Sequence, residues 1–433
     1  MSYCLFLSVT LMLFLRPGDL SPSLAEIPFY EWLFIGSMLT SLAPMMTQLR
    51  VASVCSRPVT ACILGICGAV TLSEVPFAIS SALAAAVAFS KNVLYYLVLV
   101  AQVNTPQRLR HYLAFLTLCI LLLGLLPVLQ EQGVINLESL VAIQQGETDL
   151  ATGDRYYIPR MQATGIFNDP NDLAIITAVG MLLCGHVVLS STNGAARLAG
   201  LIGIIFLYYV LYQTRSRGGM LALLAGVMAY GTARFGWRRA APCLGLCLPL
   251  LLVLSAGRMT DLSVTEGTGQ QRIRLWSEGM AMLQGAPLFG IGYGRYADHA
   301  GLQAHNSFVN SYAELGFVGG TCFFGAFASP VAMLFRMKAA ATSAMESDLE
   351  RFRPLLLAIT VSYICGMLSL SRAYVIPTYL VCGINTAWLT LEHADVKCPA
   401  FCVTAQFAQR LAISSTVFVV AIYVYIRLFA VWN

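Results

Sequence analysis

Apolar residues run along this chain in long, nearly continuous blocks separated by short polar connectors. The blocks fall at about 3–15, 29–46, 58–72, 85–103, 111–129, 172–190, 197–212, 218–233, 240–256, 307–335, 354–370, 373–390 and 411–428. A helix needs roughly 20 apolar residues to cross a bilayer, so the pattern predicts an all-α polytopic integral membrane protein. The first block is short and 76–90 reads as partly interfacial, which gives twelve or thirteen spans. Membrane β-strands alternate apolar and polar residues with period two, and these blocks do not. The whole chain, 1–433, reads as one membrane domain with two long polar segments, 130–170 and 257–306.

Orientation follows from the basic residues of the short connectors. With the N-terminus inside, Arg50, Arg57, Arg108, Arg110, Arg234, Arg238 and Arg239 fall on the inner side. The two long polar segments then lie outside, and most of the Asp and Glu lie with them. Tyr3 to Leu15 resembles a signal h-region but has no charged n-region and no small-residue cleavage site, so it reads as an uncleaved first span. Lys91, well inside an apolar run, either snorkels or pairs with an acceptor lipid or a carboxylate.

Composition narrows the class. Hydrophobic residues make up 58% of the chain and charged residues 11%, against roughly 25% charged in soluble domains. The net charge of +5 is spread thinly over separate loops and forms no basic stripe for nucleic acid. The thirteen cysteines lie mostly in apolar runs, and neither long polar segment holds one. They read as buried free thiols acting as small hydrophobes. Cys398 and Cys402 do not have zinc spacing, and no metal or other cofactor is expected.

Three constellations fall on the outer side. The first is Thr164-Gly165-Ile166-Phe167-Asn168-Asp169-Pro170-Asn171-Asp172, a turn leading into a helix capped by Asn171 or Asp172. Taken alone, it is explained by a helix entry. The second is Thr214-Arg215-Ser216-Arg217-Gly218-Gly219, a tight turn with two guanidiniums at the lip of a bundle. Desolvating them is costly unless an anion meets them, although both are also able to snorkel to lipid phosphates.

The third runs from Arg272-Ile273-Arg274-Leu275-Trp276 through Pro287-Leu288-Phe289-Gly290-Ile291-Gly292-Tyr293-Gly294 to His305-Asn306-Ser307-Phe308. The glycines lack nucleotide-loop spacing and follow no strand, so they read as a flexible turn back to the membrane. His305 stands at the start of a long helix, where the helix dipole favours the neutral imidazole that a general base requires. Asn306, Asn310 and Glu314 recur every four residues and share one helix face. The plain alternative is a stripe of interhelical hydrogen bonds.

A sugar on a polyprenyl pyrophosphate already carries a good leaving group. Its transfer needs positive charge on the departing pyrophosphate and a base for the attacking hydroxyl. Arginine suits the first task because its planar fork binds phosphate oxygens in pairs.

The runs FNDPNDLA, TRSRGGMLAL, RIRLW…PLFGIGYG and HNSFVNSYAELGF, in this order over roughly 160 to 320, resemble the O-antigen ligase and polymerase family of bacterial membrane proteins. The N-terminal LFLRPGDLSP is similar to the same group. The resemblance implies a C-type glycosyltransferase helical architecture in the bacterial inner membrane. It also implies a metal-independent, inverting active site facing the periplasm. By position, Arg217, Arg272 and His305 match the family's catalytic residues. Arg215, Arg274, Asn171, Asn306, Tyr293 and Glu314 are then expected to contact substrate. Asn168-Asp169-Pro170-Asn171 stands where many members have Asn-Pro-Asn.

The implied donor is an undecaprenyl-pyrophosphate-linked glycan. The acceptor is a lipid A core (ligase), a glycan chain (polymerase) or a protein hydroxyl (protein O-oligosaccharyltransferase). A transporter is the alternative from another class. It would place its ionisable groups near the midplane of two repeats, whereas these lie at the rim and no repeat is visible.

Overall fold

The structure is a computed structural model that describes residues 2–148, 155–241, 245, 268–336, 349–392 and 402–430. The chain divides into two compact units. Most of the expected block at 240–256 (all but 240, 241 and 245), the segment 257–267, and Cys243, Cys247 and Cys398 lie outside the described residues.

The first unit comprises Met1–Thr40, Thr105–Met259 and Glu350–Gly366. Its centre is the helix Pro170–Ser190, buried on nearly every side and packed against Pro106–Glu131, Gly194–Gln213 and Arg217–Phe235. A helix apolar on all faces has no solvent side and requires neighbours all round. Small residues let those neighbours close in: a Cβ at Gly180 would stand 2.6 Å from the Ile120 side chain. Proline at the first helical turn opens both Pro106–Glu131 and Pro170–Ser190, where its missing N–H costs nothing and its φ is already helical.

The second unit comprises Ser41–Asn104, Thr260–Leu349 and Met367–Asn433. Helix Ser307–Arg336 packs along Pro58–Glu74, and Ile79–Gln102 lies between Pro58–Glu74 and Ile376–Glu392. Thr268–Gly285 packs on Ser307–Arg336 and Ala405–Phe429. The last helix exposes apolar side chains along most of its length, among them Ile413, Val417, Val420 and Leu428, as a lipid-facing helix does.

Among the described residues, seven helices are long and apolar enough to cross a membrane: Ser2–Leu20, Ile79–Gln102, Pro106–Glu131, Pro170–Ser190, Gly194–Gln213, Ser307–Arg336 and Ala405–Phe429. Pro58–Glu74 is a shorter apolar helix. This is an all-α, multi-pass membrane protein. The blocks 218–233, 354–370 and 373–390 form helices Arg217–Phe235, Arg353–Met367 and Ile376–Glu392.

Three departures from the pattern stand out. The block at 29–46 is divided into Phe29–Thr40 and Leu42–Gln48. Segment 76–90 belongs mostly to Ile79–Gln102, with Lys91 exposed on it. The long polar segment 130–170 carries an antiparallel hairpin, Ile143–Thr148 with Arg155–Arg160, in which Ile143 pairs with Arg160. The tyrosines and isoleucine of Arg155–Arg160 favour a strand.

Candidate functional site

In the first unit, three chain segments converge on one carbonyl. The Oδ1 of Asn171 accepts from Arg160 Nη2 at 2.8 Å and from Ser216 Oγ at 2.8 Å. Arg160 also donates through Nε to the Thr214 carbonyl at 2.9 Å and through Nη1 to Gln145 Oε1 at 2.7 Å. The backbone N–H of Met161 bonds the Gln213 carbonyl at 3.0 Å. The hairpin, the start of Pro170–Ser190 and the 213–217 turn are thereby locked together.

Asp169, rather than Asn171 or Asp172, caps the Pro170 helix by accepting from the Asn171 N–H at 2.7 Å. Further upstream, Gly165 at φ +63 donates its N–H to Asp19 Oδ2 at 2.7 Å. The sequence assigned Asn171 to substrate. In the structure its carbonyl oxygen holds the arginine turn.

That turn is shaped for display. Ser216 caps the helix Arg217–Phe235, accepting from the Gly219 N–H at 3.2 Å, so Arg217 occupies the first helical position. Arg215 sits at φ +51 with its guanidinium 4.4 Å from the centre of the Tyr212 ring. Gly219 is required for space, because a Cβ there would lie 2.4 Å from that of Ala174.

In the second unit, the helix Ser307–Arg336 is interrupted at Gly316, which adopts φ 66, ψ −168. The interruption removes the rungs that would join residues 313 to 317 and 314 to 318. The Pro287–Gly292 segment replaces both. The N–H groups of Ile291 and Gly292 donate to the carbonyls of Ala313 and Glu314 at 3.0 and 3.1 Å. The N–H groups of Phe317 and Val318 donate to Pro287 and Leu288 at 2.7 and 3.2 Å.

Non-helical backbone within a membrane helix is tolerated where protein satisfies its polar groups, and here the loop does so. A Cβ at Gly290 would stand 2.3 Å from the Glu314 backbone, and one at Gly316 would stand 2.4 Å from that of Leu288. The expected flexible turn is a fixed splice, and its glycines permit backbone contact at positive φ.

Glu314 secures the same segment. One carboxylate oxygen accepts from the Tyr296 N–H at 2.9 Å and the other from Asn310 Nδ2 at 2.9 Å. The expected Asn310–Glu314 face therefore exists, with its polar atoms turned to the loop. Arg295 forks onto Glu74 at 2.8 and 2.7 Å, and its guanidinium lies 3.7 Å from the Phe77 ring centre. Tyr293 packs on Tyr374 with ring centres 4.7 Å apart. Burial, with the Glu314 charge adding to it, pushes the Tyr293 phenol up, so it remains a protonated donor at neutral pH.

His305 lies in this unit at φ +50. Among the described residues only Arg16, Arg215 and His305 are non-glycine residues at positive φ. Such backbone persists where surrounding contacts hold it, and it concentrates at functional sites. The neighbours of His305 supply those contacts. Trp276 Nε1 donates to the Ala304 carbonyl at 2.9 Å. Asn306 Oδ1 accepts from the N–H groups of Phe308 and Val309, capping the helix. Asn306, expected to contact substrate, is buried and caps the helix.

Beneath the histidine, Ile273, Met280, Tyr296, Ala304 and Val309 form an apolar cluster. Arg272 is one turn before Trp276 on the same face of Thr268–Gly285 and is half-buried. Arg274, two residues on, projects from the opposite side and is exposed. Arg272 thus shares a face with Trp276, whose bond ties the helix to the residue before His305, and Arg274 lies on the opposite side. Motif reading missed Arg160, Ser216 and the Trp276–Ala304 bond. The donor residues were in view, but their partners are distant in sequence and follow no period.

The class defined by this fold is a multi-pass helical membrane protein with arginines and a histidine on constrained backbone at its helix ends. Residues 199–324 match the O-antigen ligase family, which bears out the resemblance carried by the motifs. The match includes Arg215, Arg217, Arg272, Arg274 and His305, and its activity class is glycan transfer. No curated protein matches the chain.

Proposed function

We propose that this protein transfers a glycan from an undecaprenyl-pyrophosphate donor to an acceptor hydroxyl on the periplasmic face of the bacterial inner membrane, as an O-antigen or polysaccharide ligase. The observation that carries the reading is His305, on left-handed backbone between the Trp276-bonded Ala304 and the capping Asn306. Those contacts fix the backbone from which the imidazole projects, and the Trp276 bond ties that backbone to the helix that carries Arg272.

In the proposed step the acceptor oxygen attacks the anomeric carbon, and the bond from that carbon to the pyrophosphate breaks. The pyrophosphate leaves with the electron pair and is stabilised by the Arg272 guanidinium. His305 receives the acceptor's proton or orients its hydroxyl. For Arg217 and Arg215 the reading rests on the motif resemblance alone, which implies a pyrophosphate-binding role for Arg217 with Arg215 beside it.

The test is transfer from the lipid-linked glycan by purified protein in liposomes, offered a lipid A core, a peptide, or donor alone. Product on the lipid core is expected. Chain extension with donor alone would make the protein a polymerase, and labelled peptide would make it a protein glycosylating enzyme. No product with any acceptor from intact donor would contradict the reading.

A further inference from the structure

One arginine of the second unit is covered on one side and unpaired. Helix Pro58–Glu74 runs antiparallel to Ser307–Arg336, with Ala69 against Gly319, Gly65 against Cys322 and Cys62 against Gly325. Arg57, immediately before Pro58, therefore stands at the end of that helix pair away from His305. Its Nη1 is covered by protein and has no hydrogen-bond partner, and it pairs with no carboxylate among the described residues. Burial pulls its pKa below the usual arginine value, opposed by the neighbouring Tyr96.

The polar groups around it are already engaged. The Tyr96 hydroxyl donates to Thr386 Oγ1 at 3.0 Å and lies 2.7 Å from Thr60 Oγ1, and Thr386 in turn donates to the Cys382 carbonyl at 2.9 Å. The Cys55 carbonyl accepts from the Val403 N–H at 2.6 Å. Arg57 is also the N-cap residue of Pro58–Glu74, whose buried first turn has no side-chain cap. A cation there meets the positive end of the helix dipole. Desolvation, lack of a partner and the dipole all oppose this charge, and one anion on the open edge of the guanidinium fork offsets all three.

The surroundings indicate which anion. Arg57 is half-buried, and the connector before it exposes Met46, Leu49 and Val51 beside the exposed Arg50. Apolar side chains exposed next to arginines at the end of a membrane helix mark the level where acyl chains meet headgroups. We infer that Arg57 anchors an anionic phospholipid, whose phosphate binds the outer edge of its guanidinium. This site lies at the opposite end of the helix pair from His305 and does not depend on the glycan-transfer reading. It also lies outside the family match at residues 199–324.

The experiment compares the full chain as wild type, Arg57→Met, Arg57→Gln, Arg57→Lys and Arg238→Met in nanodiscs of phosphatidylcholine, with and without added phosphatidylglycerol. Phosphatidylglycerol is expected to raise the wild-type melting temperature by about 3 °C, as a ligand bound only to the folded state does. Arg238→Met, which removes an exposed arginine elsewhere, is expected to keep that rise. In Arg57→Met and Arg57→Gln the rise is expected to shrink to about 1 °C or less. Arg57→Lys keeps the charge if neither neutral variant folds, and is expected to show a partial rise because it lacks the fork. Native mass spectrometry is expected to find phosphatidylglycerol retained by wild type and lost from the neutral variants.

Equal rises in wild type and in the Arg57 variants that fold would overturn the inference, as would a wild type indifferent to phosphatidylglycerol. A rise produced as fully by inorganic phosphate in phosphatidylcholine alone, and lost with the variants, would overturn the lipid as occupant and make the site one for a soluble anion.

Discussion

The indole N–H of Trp276 donates to the carbonyl of Ala304 at 2.9 Å, which ties the arginine-bearing helix Thr268–Gly285 to the residue immediately before His305. A helix that begins in a long polar segment thus acquires a fixed register against the start of Ser307–Arg336. Arg272, one turn before the tryptophan, shares that register.

Trp276→Phe keeps the ring and removes the donor. One buried hydrogen bond is worth about 1 kcal/mol, so the melting temperature in detergent is expected to fall only slightly. Glycan transfer is expected to fall by roughly 10-fold, because about 1 Å of misplacement between reacting groups is costly. Unchanged transfer would show that the bond does not position the site.

Arg272→Lys preserves charge and loses the planar fork. A loss of roughly 100-fold in kcat/KM is expected if paired phosphate oxygens are bound. Arg274→Ala, on the opposite side of the same helix, is expected to change kcat/KM by less than about threefold. Equal losses from the two variants would contradict the facial division.

Asn171 separates positioning from substrate binding. Asn171→Asp keeps an acceptor for Arg160 and Ser216, whereas Asn171→Ala leaves both donors unmet at a cost of about 1–3 kcal/mol. Activity and melting temperature are expected to survive in Asn171→Asp and fall in Asn171→Ala. If the side-chain amide instead donated to a phosphate, the aspartate would repel it and the order of activities would reverse.

Gly290→Ala and Gly316→Ala each place a methyl group against backbone and force positive φ on alanine. Both are expected to destabilise by about 3 kcal/mol or more, lowering the monodisperse fraction in detergent gel filtration. Gly285→Ala, where a Cβ meets nothing within 4 Å, is expected to behave as wild type. Normal assembly of the first two variants would contradict the splice.

The helices were legible because lipid imposes one rule on every span, and the apolar blocks record it directly. The Asn306, Asn310 and Glu314 stripe was also legible, since a spacing of four places residues on one helix face. The interruption at Gly316 was not. Its block continues apolar on both sides of the break and holds no proline there, and the four groups that complete it come from Pro287–Gly292, more than twenty residues upstream. The hairpin was hidden for a similar reason, because a short polar strand contributes little to a hydropathy pattern. Arg160 stood in the sequence only as one basic residue of the long polar segment 130–170. Its bond to Asn171 spans eleven residues and obeys neither the helical nor the strand period.

Transfer by purified wild-type protein and His305→Ala, side by side in liposomes loaded with undecaprenyl-pyrophosphate-linked glycan and a lipid A core, tests the central claim most directly. The expected result is glycosylated core with wild type and a loss of roughly 100-fold or more with the folded variant, as for removal of a general base. Transfer by His305→Ala at the wild-type rate would contradict the role given to the histidine.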